Sequence, residues 1–375
     1  MEKNKISVYL RLLILFLILA LVTYGSYMHQ IFGGAKAASI HALCPFGALE
    51  SLYALIFLGT FIQKIFLGTF VLFGITVILA IVFRRSFCGL LCPFGALQEL
   101  FAKIGQKILK KRMEVPKAID VPLRYLKYLI LPLTFFMAWY YSTLWMSTFD
   151  PYSAYAHITD VGGAIAEDPL AIIGFILLGV TLIGSFIYDR FFCKYLCPAG
   201  AFYAIIGKIS PTNIERNNHL CIHCGACTKS CPMNIDVAKG FKIKSAECIN
   251  CNECVNVCPK KGALDVKVAG KIISPLVILL LVVGLFFGTI FLAQLTGNFQ
   301  LKTSELKVGE ILSISDLKGS LTIEESAQQT GFSLDEIYQK LGIPISVPKE
   351  TMLKDVYTLV PGYNFHDAKE KASSN

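Results

Sequence analysis

The chain has 375 residues, of which 54% are hydrophobic and 16% are charged, and its formal net charge is +9. Soluble domains carry about 25% charged residues, so this composition argues against a single soluble domain. Apolar stretches of membrane-spanning length explain the hydrophobic excess. The positive charge collects in particular loops, which makes nucleic-acid binding the weaker interpretation of it.

Five apolar stretches approach or reach the roughly 20 residues that a helix needs to cross a bilayer. They lie at residues 12–28, 65–83, 129–146, 169–188 and 275–295. The first ends in an aromatic sequence instead of a cleavage site, so we expect it to be retained and not removed as a signal peptide. The last three contain no Asp, Glu, Lys, Arg or His, which argues against an ion or proton transporter.

Basic residues collect on alternate sides of these stretches. Residues 84–127 hold ten Lys or Arg against three acids, and residues 189–273 hold twelve against six. Residues 147–168 hold four acids and no Lys or Arg. Positive loops stay inside, so five spans predict a multi-pass protein of the cell (inner, cytoplasmic) membrane, with residues 189–273 cytoplasmic and the C-terminus extracytoplasmic.

Eight cysteines form two copies of the pattern Cys-x2-Cys-x2-Cys-x3-Cys-Pro. This is the spacing of a bacterial two-cluster ferredoxin, in which the fourth cysteine of each run binds the other cluster. We therefore predict two [4Fe–4S] clusters. Their ligand sets are Cys221, Cys224, Cys227 and Cys258 for the first, and Cys248, Cys251, Cys254 and Cys231 for the second. A zinc ribbon would leave half of these cysteines idle, and a reducing cytosol disfavours disulfides.

Two further cysteine pairs share the pattern F-C-x-x-L-C-P-x-G-A-[LF], at residues 87–97 and 192–202. Each pair follows an apolar stretch and a basic residue, and its proline favours the start of a helix. The first such helix, near residues 96–111, has one apolar face and should lie at the membrane surface. The interpretation as a third redox centre uses Cys88, Cys92, Cys193 and Cys197 as metal ligands. Dithiol switches and buried packing thiols are the alternatives.

A degenerate third copy at residues 41–49 keeps a single cysteine, Cys44, which the predicted topology places on the outer side. One interpretation is a turn that kept only its backbone role. The other is an electron exit, in which Cys44 is a metal ligand assisted by His29, His41 and His157. The spans lack the paired histidines that bind haem, and no motif for covalent flavin attachment occurs, so we predict neither haem nor covalent flavin.

The composition changes in the C-terminal tail, where residues 297–375 hold eight Lys and eleven acids. A capping box at Thr322 predicts a helix that ends at Gly331, and Ser333 begins a second one that stops at Gly342. This helical hairpin is more typical of a docking module than of DNA binding, because the tail is not basic. We expect disorder over residues 368–375.

The predicted fold class is an α-helical polytopic membrane protein of about five spans, with an inserted two-cluster bacterial ferredoxin α+β domain and a small helical C-terminal extracytoplasmic domain. The membrane domain, with four spans and both repeats, covers residues 1–210. The cytoplasmic ferredoxin domain covers residues 211–271, the fifth transmembrane helix residues 272–296, and the extracytoplasmic helical tail residues 297–375.

The doubled ferredoxin motif, the two repeats and the charge pattern together resemble the polytopic membrane ferredoxins, over roughly residues 12–295. That family includes the quinol-dehydrogenase membrane component of periplasmic nitrate reductase systems, the nitrous-oxide reductase expression regulator and a copper-reducing ferredoxin of oxidase assembly. The resemblance implies electron transfer across or along the membrane, coupled to quinones or to an outer reductase. The missing flavin motif separates this chain from the flavin-bearing members.

The predicted function is membrane-bound iron–sulfur electron transfer. It would link a cytoplasmic redox donor or acceptor to the quinone pool or to an extracytoplasmic reductase. The chain is then more an electron-transfer subunit of an oxidoreductase than a self-sufficient catalyst. Its partners are membrane lipid and redox proteins, not nucleic acid. Two alternatives are a copper-reducing assembly factor, weakened by the lack of a Met-rich outer site, and a redox-sensing membrane regulator.

Overall fold

The computed structural model describes residues 2–36, 44–58, 67–113, 115–141, 145–243, 245–299 and 321–374, with residues 314, 317 and 319. The helices are α1 Glu2–Lys36, α2 Pro45–Leu58, α3 Leu67–Phe83, α4 Ser86–Leu90, α5 Pro93–Leu109, α6 Lys117–Tyr141, α7 Pro151–Ala156, α8 Val161–Glu167, α9 Ala171–Ile187, α10 Phe191–Tyr195, α11 Pro198–Ile206, α12 Ala226–Lys229, α13 Glu253–Asn256, α14 Pro275–Leu295, α15 Ile323–Thr330, α16 Leu334–Lys340 and α17 Phe365–Ser374. The strands are β1 Thr212–Arg216, β2 Leu264–Val268 and β3 Lys271–Ile273.

Three helices of the described chain are long and apolar enough to cross a membrane. They are Ile6–Ile31 within α1, all of α6 and all of α14. The apolar helices α3 and α9 have 17 residues each, which is shorter than the roughly 20 that a full crossing takes. Five stretches were predicted as spans, and three of them correspond to helices of full crossing length.

The chain divides into two compact units, residues 1–22, 44–146 and 179–300 in the first and residues 23–43, 147–178 and 301–375 in the second. All thirteen cysteines belong to the first unit. Its hydrophobic core joins Leu79 of α3 and Val282 of α14 with Ile249 and Val266 of the predicted ferredoxin segment. Burial of these side chains in one core stabilises the ferredoxin segment against the apolar helices.

A small antiparallel sheet of order β1-β2-β3 underlies the ferredoxin segment. Ile214 of β1 lies opposite Val266 of β2, and both side chains are buried in the core. Ala269 and Gly270 connect β2 to β3 with φ of +48° and +82°. Two successive positive φ values are typical of the tight turn that matches the twist of a β-hairpin.

The second unit contains the helical hairpin that the capping residues predict, which is thereby confirmed. Thr322 and Ser333 each form a capping box, and Gly331 ends α15 with φ of +70°. The expectation of disorder after residue 367 is wrong for residues 368–374, which belong to α17. The reason is tertiary packing, since Phe365 and Ala372 of this helix contact the apolar core of the unit.

Candidate functional site

Four cysteines, which we call the exposed set, line one cavity of the ferredoxin segment with about 410 Å³ of empty space. They are Cys221, Cys224, Cys227 and Cys258. Cys224 is exposed and the other three are half-buried. The loop curls around the cavity at His223 and Gly225, whose φ values are +53° and +71°. This set therefore lies at the protein surface, with Cys224 open to solvent.

Four other cysteines, the buried set, line a second cavity with about 320 Å³ of empty space. They are Cys231, Cys248, Cys251 and Cys254, and each is less than one-tenth exposed. Met233 and Ile243 are among the apolar side chains that line this cavity. Each cavity thus gathers three cysteines of one run and the fourth cysteine of the other, which is the crossed grouping that the spacing predicts.

The two cavities fit an iron–sulfur cube better than a single zinc ion. Zinc needs its ligands about 2.3 Å away in a tetrahedron. Within the described residues, no group of three or more His, Cys, Asp or Glu side chains is close enough to hold one metal ion. Four thiols spaced around a cavity match a cluster that occupies its centre. Burial raises the pKa of Cys251 to about 12, so a metal must displace the thiol proton when it binds.

The remaining predicted ligands, which we call the repeat set, are Cys88, Cys92, Cys193 and Cys197. Cys92 and Cys197 stand at the starts of α5 and α11, each with a proline at the first helical position. Their sulfurs accept hydrogen bonds from Gly95 N at 3.4 Å and from Gly200 N at 3.2 Å. The prediction that each proline motif starts a helix is confirmed. The backbone N–H groups of Gly95 and Gly200, in the first turns of these helices, donate to the cysteine sulfurs.

The cysteines of the two repeats approach one another in the folded chain. Burial raises the pKa of Cys92 and of Cys197, and in both cases Cys193 and Cys88 are the next largest causes. Gln98 Nε2 of the first repeat also donates to Cys193 Sγ of the second at 3.2 Å. The four thiols that the sequence assigns to a third centre therefore lie within electrostatic range of one another.

Two buried arginines flank the repeat set, Arg85 at 1% exposure and Arg190 at 0%. Arg190 Nη1 donates to the carbonyl of Cys88 at 2.6 Å. Arg85 Nη1 pairs with Glu247 Oε2 at 3.0 Å. Burial lowers the pKa of Arg85, but Cys88, Glu247 and further thiols outweigh it and raise that pKa. In the sequence, these basic residues indicate only the membrane topology, and their burial beside the thiols was not predicted.

A buried ion network joins the repeat set to the ferredoxin segment. Glu99 of α5 pairs with Arg11 of α1 at 2.6 Å and with Arg190 at 2.8 Å. Arg11 also pairs with Glu253, the neighbour of Cys254, at 2.6 Å. Burial would raise the pKa of Glu99, but Arg11 and Arg190 outweigh it and lower that pKa to about 2. Glu99 is therefore a carboxylate at neutral pH, as its two buried partners require.

The first repeat and the buried set are in backbone contact. A methyl group added to Gly89, between Cys88 and Cys92, would lie 2.3 Å from the carbonyl oxygen of Ile249. Asn250 Nδ2 donates to the carbonyl of Phe83 at 3.1 Å, directly before the repeat. The buried set thus adjoins the repeat set through the backbone at Gly89. It adjoins the exposed set because each cysteine run gives its fourth cysteine to the other cavity.

Cys44 packs near the second repeat. We predicted it on the membrane face opposite the repeats, but its side chain packs against the cluster of Phe46, Leu131 and Ala201, and Ala201 belongs to α11. Cys44, Cys88 and Cys197 all act on the phenol of Tyr203, whose pKa burial raises. The reason is α2, a short apolar helix beside α6 that the sequence analysis did not predict. Of the suggested assisting histidines, His29 and His157 belong to the second unit, and His41 lies outside the described residues.

Family models match both cysteine-bearing regions. A 4Fe-4S binding domain matches twice, at residues 65–112 and 170–217, and each match contains one repeat. A 4Fe-4S dicluster domain matches residues 213–259, which contain the exposed and buried sets. The two matches of the first model lie on the two halves of the repeat set.

Three relatives illustrate the range of similarity. YccM of Escherichia coli, provisionally named an electron transport protein, is 30% identical over 273 residues, which are 71% of this chain and 76% of that protein. An uncharacterised protein of Methanocaldococcus jannaschii is 32% identical over 208 residues, 55% of this chain and 79% of its own. The methylamine utilization ferredoxin-type protein MauN of Paracoccus denitrificans is 43% identical over 58 residues, 15% of this chain and 20% of its own. No solved structure matches the chain.

Proposed function

Because the chain belongs to the family of ferredoxin-type 4Fe-4S electron transport proteins, we propose that it is a membrane-bound carrier that passes electrons along three cysteine sets in series. The exposed and buried sets would each hold one [4Fe–4S] cluster, and the repeat set a third metal centre. A bound cluster supplies one-electron transfer at each set. The protein's own residues position the thiolates, exclude water and set the local charge.

The observation that carries this proposal is the order of the three sets in the first unit. The exposed set lies at the surface, and the buried set shares its two cysteine runs with it. Gly89 then brings the repeat set into contact with the backbone of the buried set. A chain of neighbouring sites from the surface to the ends of α3 and α9 is what stepwise electron transfer requires.

The proposed membrane arrangement uses α1, α6 and α14 as full spans, with α3 and α9 as the shorter apolar helices beside them. The ferredoxin segment is then cytoplasmic and receives or delivers electrons through a cytoplasmic redox partner. The other end of the route meets the quinone pool or an extracytoplasmic reductase. A hydrocarbon core of about 30 Å is too thick for one electron step from a surface cluster, so a further carrier must complete any crossing.

Iron analysis tests the number of centres in the anaerobically purified full-length protein. Two cubes hold about eight iron atoms per chain, and a third centre raises that number. The double variant Cys88→Ser/Cys193→Ser should lose the excess and keep the signal of the two ferredoxin clusters. Iron at about eight per chain in the wild type, unchanged in the double variant, would remove the third centre from the proposal.

A vesicle experiment tests transport. The protein is reconstituted in sealed vesicles, the exposed set is reduced by dithionite from the ferredoxin side, and a quinone in the bilayer serves as acceptor. Quinone reduction should follow cluster reduction in the wild type and stop in Cys251→Ser. Cluster reduction without quinone turnover in the wild type would contradict the carrier and support a sensor.

A further inference from the structure

Each repeat has an arginine just before it, and the side chain of that arginine lies against a glycine of the other repeat. A methyl group added to Gly95 of the first repeat would lie 2.7 Å from Arg190 Nη1 of the second. One added to Gly200 of the second repeat would lie 2.7 Å from Arg85 Nη2 of the first. Glycine at these two positions leaves the room that each guanidinium occupies. The pair is reciprocal, so each arginine lies over the other repeat's helix start.

Several N–H groups of these arginines lack a hydrogen-bond partner among the described residues. They are Nε and Nη2 of Arg85 and Nε of Arg190. A buried, unsatisfied polar group costs about 1–3 kcal/mol, and more when it is charged, so such groups in a native protein indicate a missing partner. The thiols with the largest electrostatic influence on the pKa of Arg85 are those of Cys88, Cys197 and Cys193. Cys193 also influences the pKa of Arg190. A methyl group added to Gly200 would lie 2.7 Å from Arg85 Nη2 and 3.5 Å from Cys197 Sγ, so this unpartnered donor lies near a sulfur of the repeat set.

The surrounding ion network has an excess of positive charge. Four buried cations share three carboxylates, so the network carries one positive charge in excess. The cations are Arg11, Arg85, Arg190 and Lys127, and the carboxylates are Glu99, Glu247 and Glu253. Uncompensated charge in a buried ion network is destabilising. Neutral thiols do not supply that counter-charge, whereas metal-bound thiolates do.

Each sulfur of the repeat set has a donor or a cation beside it. Cys92 and Cys197 accept from backbone N–H groups, and Cys193 accepts from Gln98. The carbonyl of Cys88 accepts from Arg190 Nη1 at 2.6 Å, which places a buried cation beside this residue. The surroundings of all four sulfurs thus favour negative charge.

We propose that Arg85 and Arg190 are positioning residues that compensate the negative charge of a cluster on the repeat set and raise its reduction potential. With clusters bound, one electron passing from the buried-set cluster to the repeat-set cluster would oxidise the first by one and add one negative charge to the second, beside Arg85 and Arg190. A buried cation nearby stabilises that added charge. This inference rests on the proposed function, since it requires a centre on the repeat set.

The test is a redox titration of the anaerobically purified full-length protein, followed by electron paramagnetic resonance. Arg85→Gln and Arg190→Gln remove one charge each. At a fixed potential, the ratio of reduced to oxidised repeat-set centre should fall at least about tenfold in each variant, a shift of about 59 mV for one electron. The signals of the exposed and buried sets serve as internal controls for folding.

Arg84→Gln is the matched control. Arg84 is 5% exposed and adjacent in sequence, but its guanidinium donates to the carbonyls of Ile243 and Ser245, both at 2.9 Å. We expect this variant to leave the repeat-set potential unchanged. A shift equal to that of Arg85→Gln would overturn the proposal, as would wild-type potentials in both Arg85→Gln and Arg190→Gln.

A glutamine variant could lose the repeat-set centre altogether. Arg85→Lys and Arg190→Lys, which keep the positive charge, then provide the test. Retained iron, with a potential closer to wild type than to the glutamine variants, supports charge compensation. Loss of the centre in the lysine variants as well overturns it in favour of a purely structural role. If Cys88→Ser/Cys193→Ser changes no iron signal, the third centre itself fails, and this result is distinct from every result above.

Discussion

The ferredoxin segment and the repeat region hold their cysteines in different surroundings. In the ferredoxin segment, one short run supplies three cysteines of each cavity, and apolar side chains such as Met233 and Ile243 line the buried one. In the repeat region, the four thiols come from two distant pairs and lie among buried ions such as Arg85, Arg190 and Glu247. Local spacing defines the first kind of site, and long-range charge pairing defines the second.

The largest expected effect breaks that pairing. Glu247→Gln leaves Arg85 and Lys127 without their shared counter-ion. Removing one partner of a buried pair costs about 3–5 kcal/mol of unfolding free energy. Chemical unfolding in detergent, followed by the visible absorbance of the clusters, measures the loss.

Glu215→Gln is the control for this prediction. Glu215 also lies in the ferredoxin segment, but its partners Lys242 and Lys267 are partly exposed, at 40% and 32%. Exposed pairs contribute about 0–1 kcal/mol, so this variant should unfold almost as the wild type does. Equal losses in the two variants would show that buried charge has no special role in the repeat region.

The next largest effect is expected from a substitution that disturbs the contact between the repeat region and the ferredoxin segment. Gly89→Ala places a methyl group against the carbonyl of Ile249, and backbone there has little freedom to move. We expect a loss of about 1–3 kcal/mol and slower electron transfer between the buried and repeat sets. Gly74→Ala, which meets nothing within 4 Å, is the matched control. Stopped-flow reduction of both variants checks the prediction, and identical rates would contradict the proposed contact route.

The rate at which a chelator removes iron measures the difference in burial between the exposed set and the buried set. Cys224 of the exposed set is open to solvent, whereas all four cysteines of the buried set are less than one-tenth exposed. A ferrous chelator should therefore remove iron from the exposed set on the order of tenfold faster, since the buried set opens only with the core. Spectra recorded during chelation separate the two phases. A single phase for all iron would place the two cavities in equal surroundings.

The smallest effect concerns surface charge. Lys260 and Lys261 are exposed beside the cavity of the exposed set. Oxidation of the reduced protein by ferricyanide, an anion, should slow about twofold in Lys260→Gln/Lys261→Gln and lose part of its salt dependence. Lys271→Gln, in the exposed strand β3, is the control and should change little. Equal rates in all three proteins would rule out electrostatic steering at this face.

Local patterns predicted local structure well. The spacing of eight cysteines predicted the crossed grouping that lines the two cavities, and the prolines after Cys92 and Cys197 predicted the starts of α5 and α11. Capping residues predicted α15 and α16. In each case the residues that decide the structure are neighbours in the chain, so their geometry follows from backbone chemistry alone.

Hydropathy predicted the apolar stretches but not their lengths as helices or the position of Cys44. A short apolar helix beside α6 cannot be told from a membrane-surface turn by composition, and α2 brings Cys44 to α11 through packing. The buried ions were missed for a related reason. Arg11 and Arg190 stand in loops or helices where sequence alone assigns a charge to a membrane face, and only the fold shows them paired inside the protein.

By itself, the amino-acid order determined which cysteines share a cavity, where α5, α11, α15 and α16 begin and that the chain transports electrons through 4Fe-4S domains. Tertiary structure alone decided that Arg11, Glu99, Arg190 and Glu253 form one network, and that Gly89 abuts Ile249. The physical reason is the distance along the chain over which each interaction acts. Ligand spacing and helix caps act over a few residues, whereas the pairing of buried charges depends on which distant segments exclude water together.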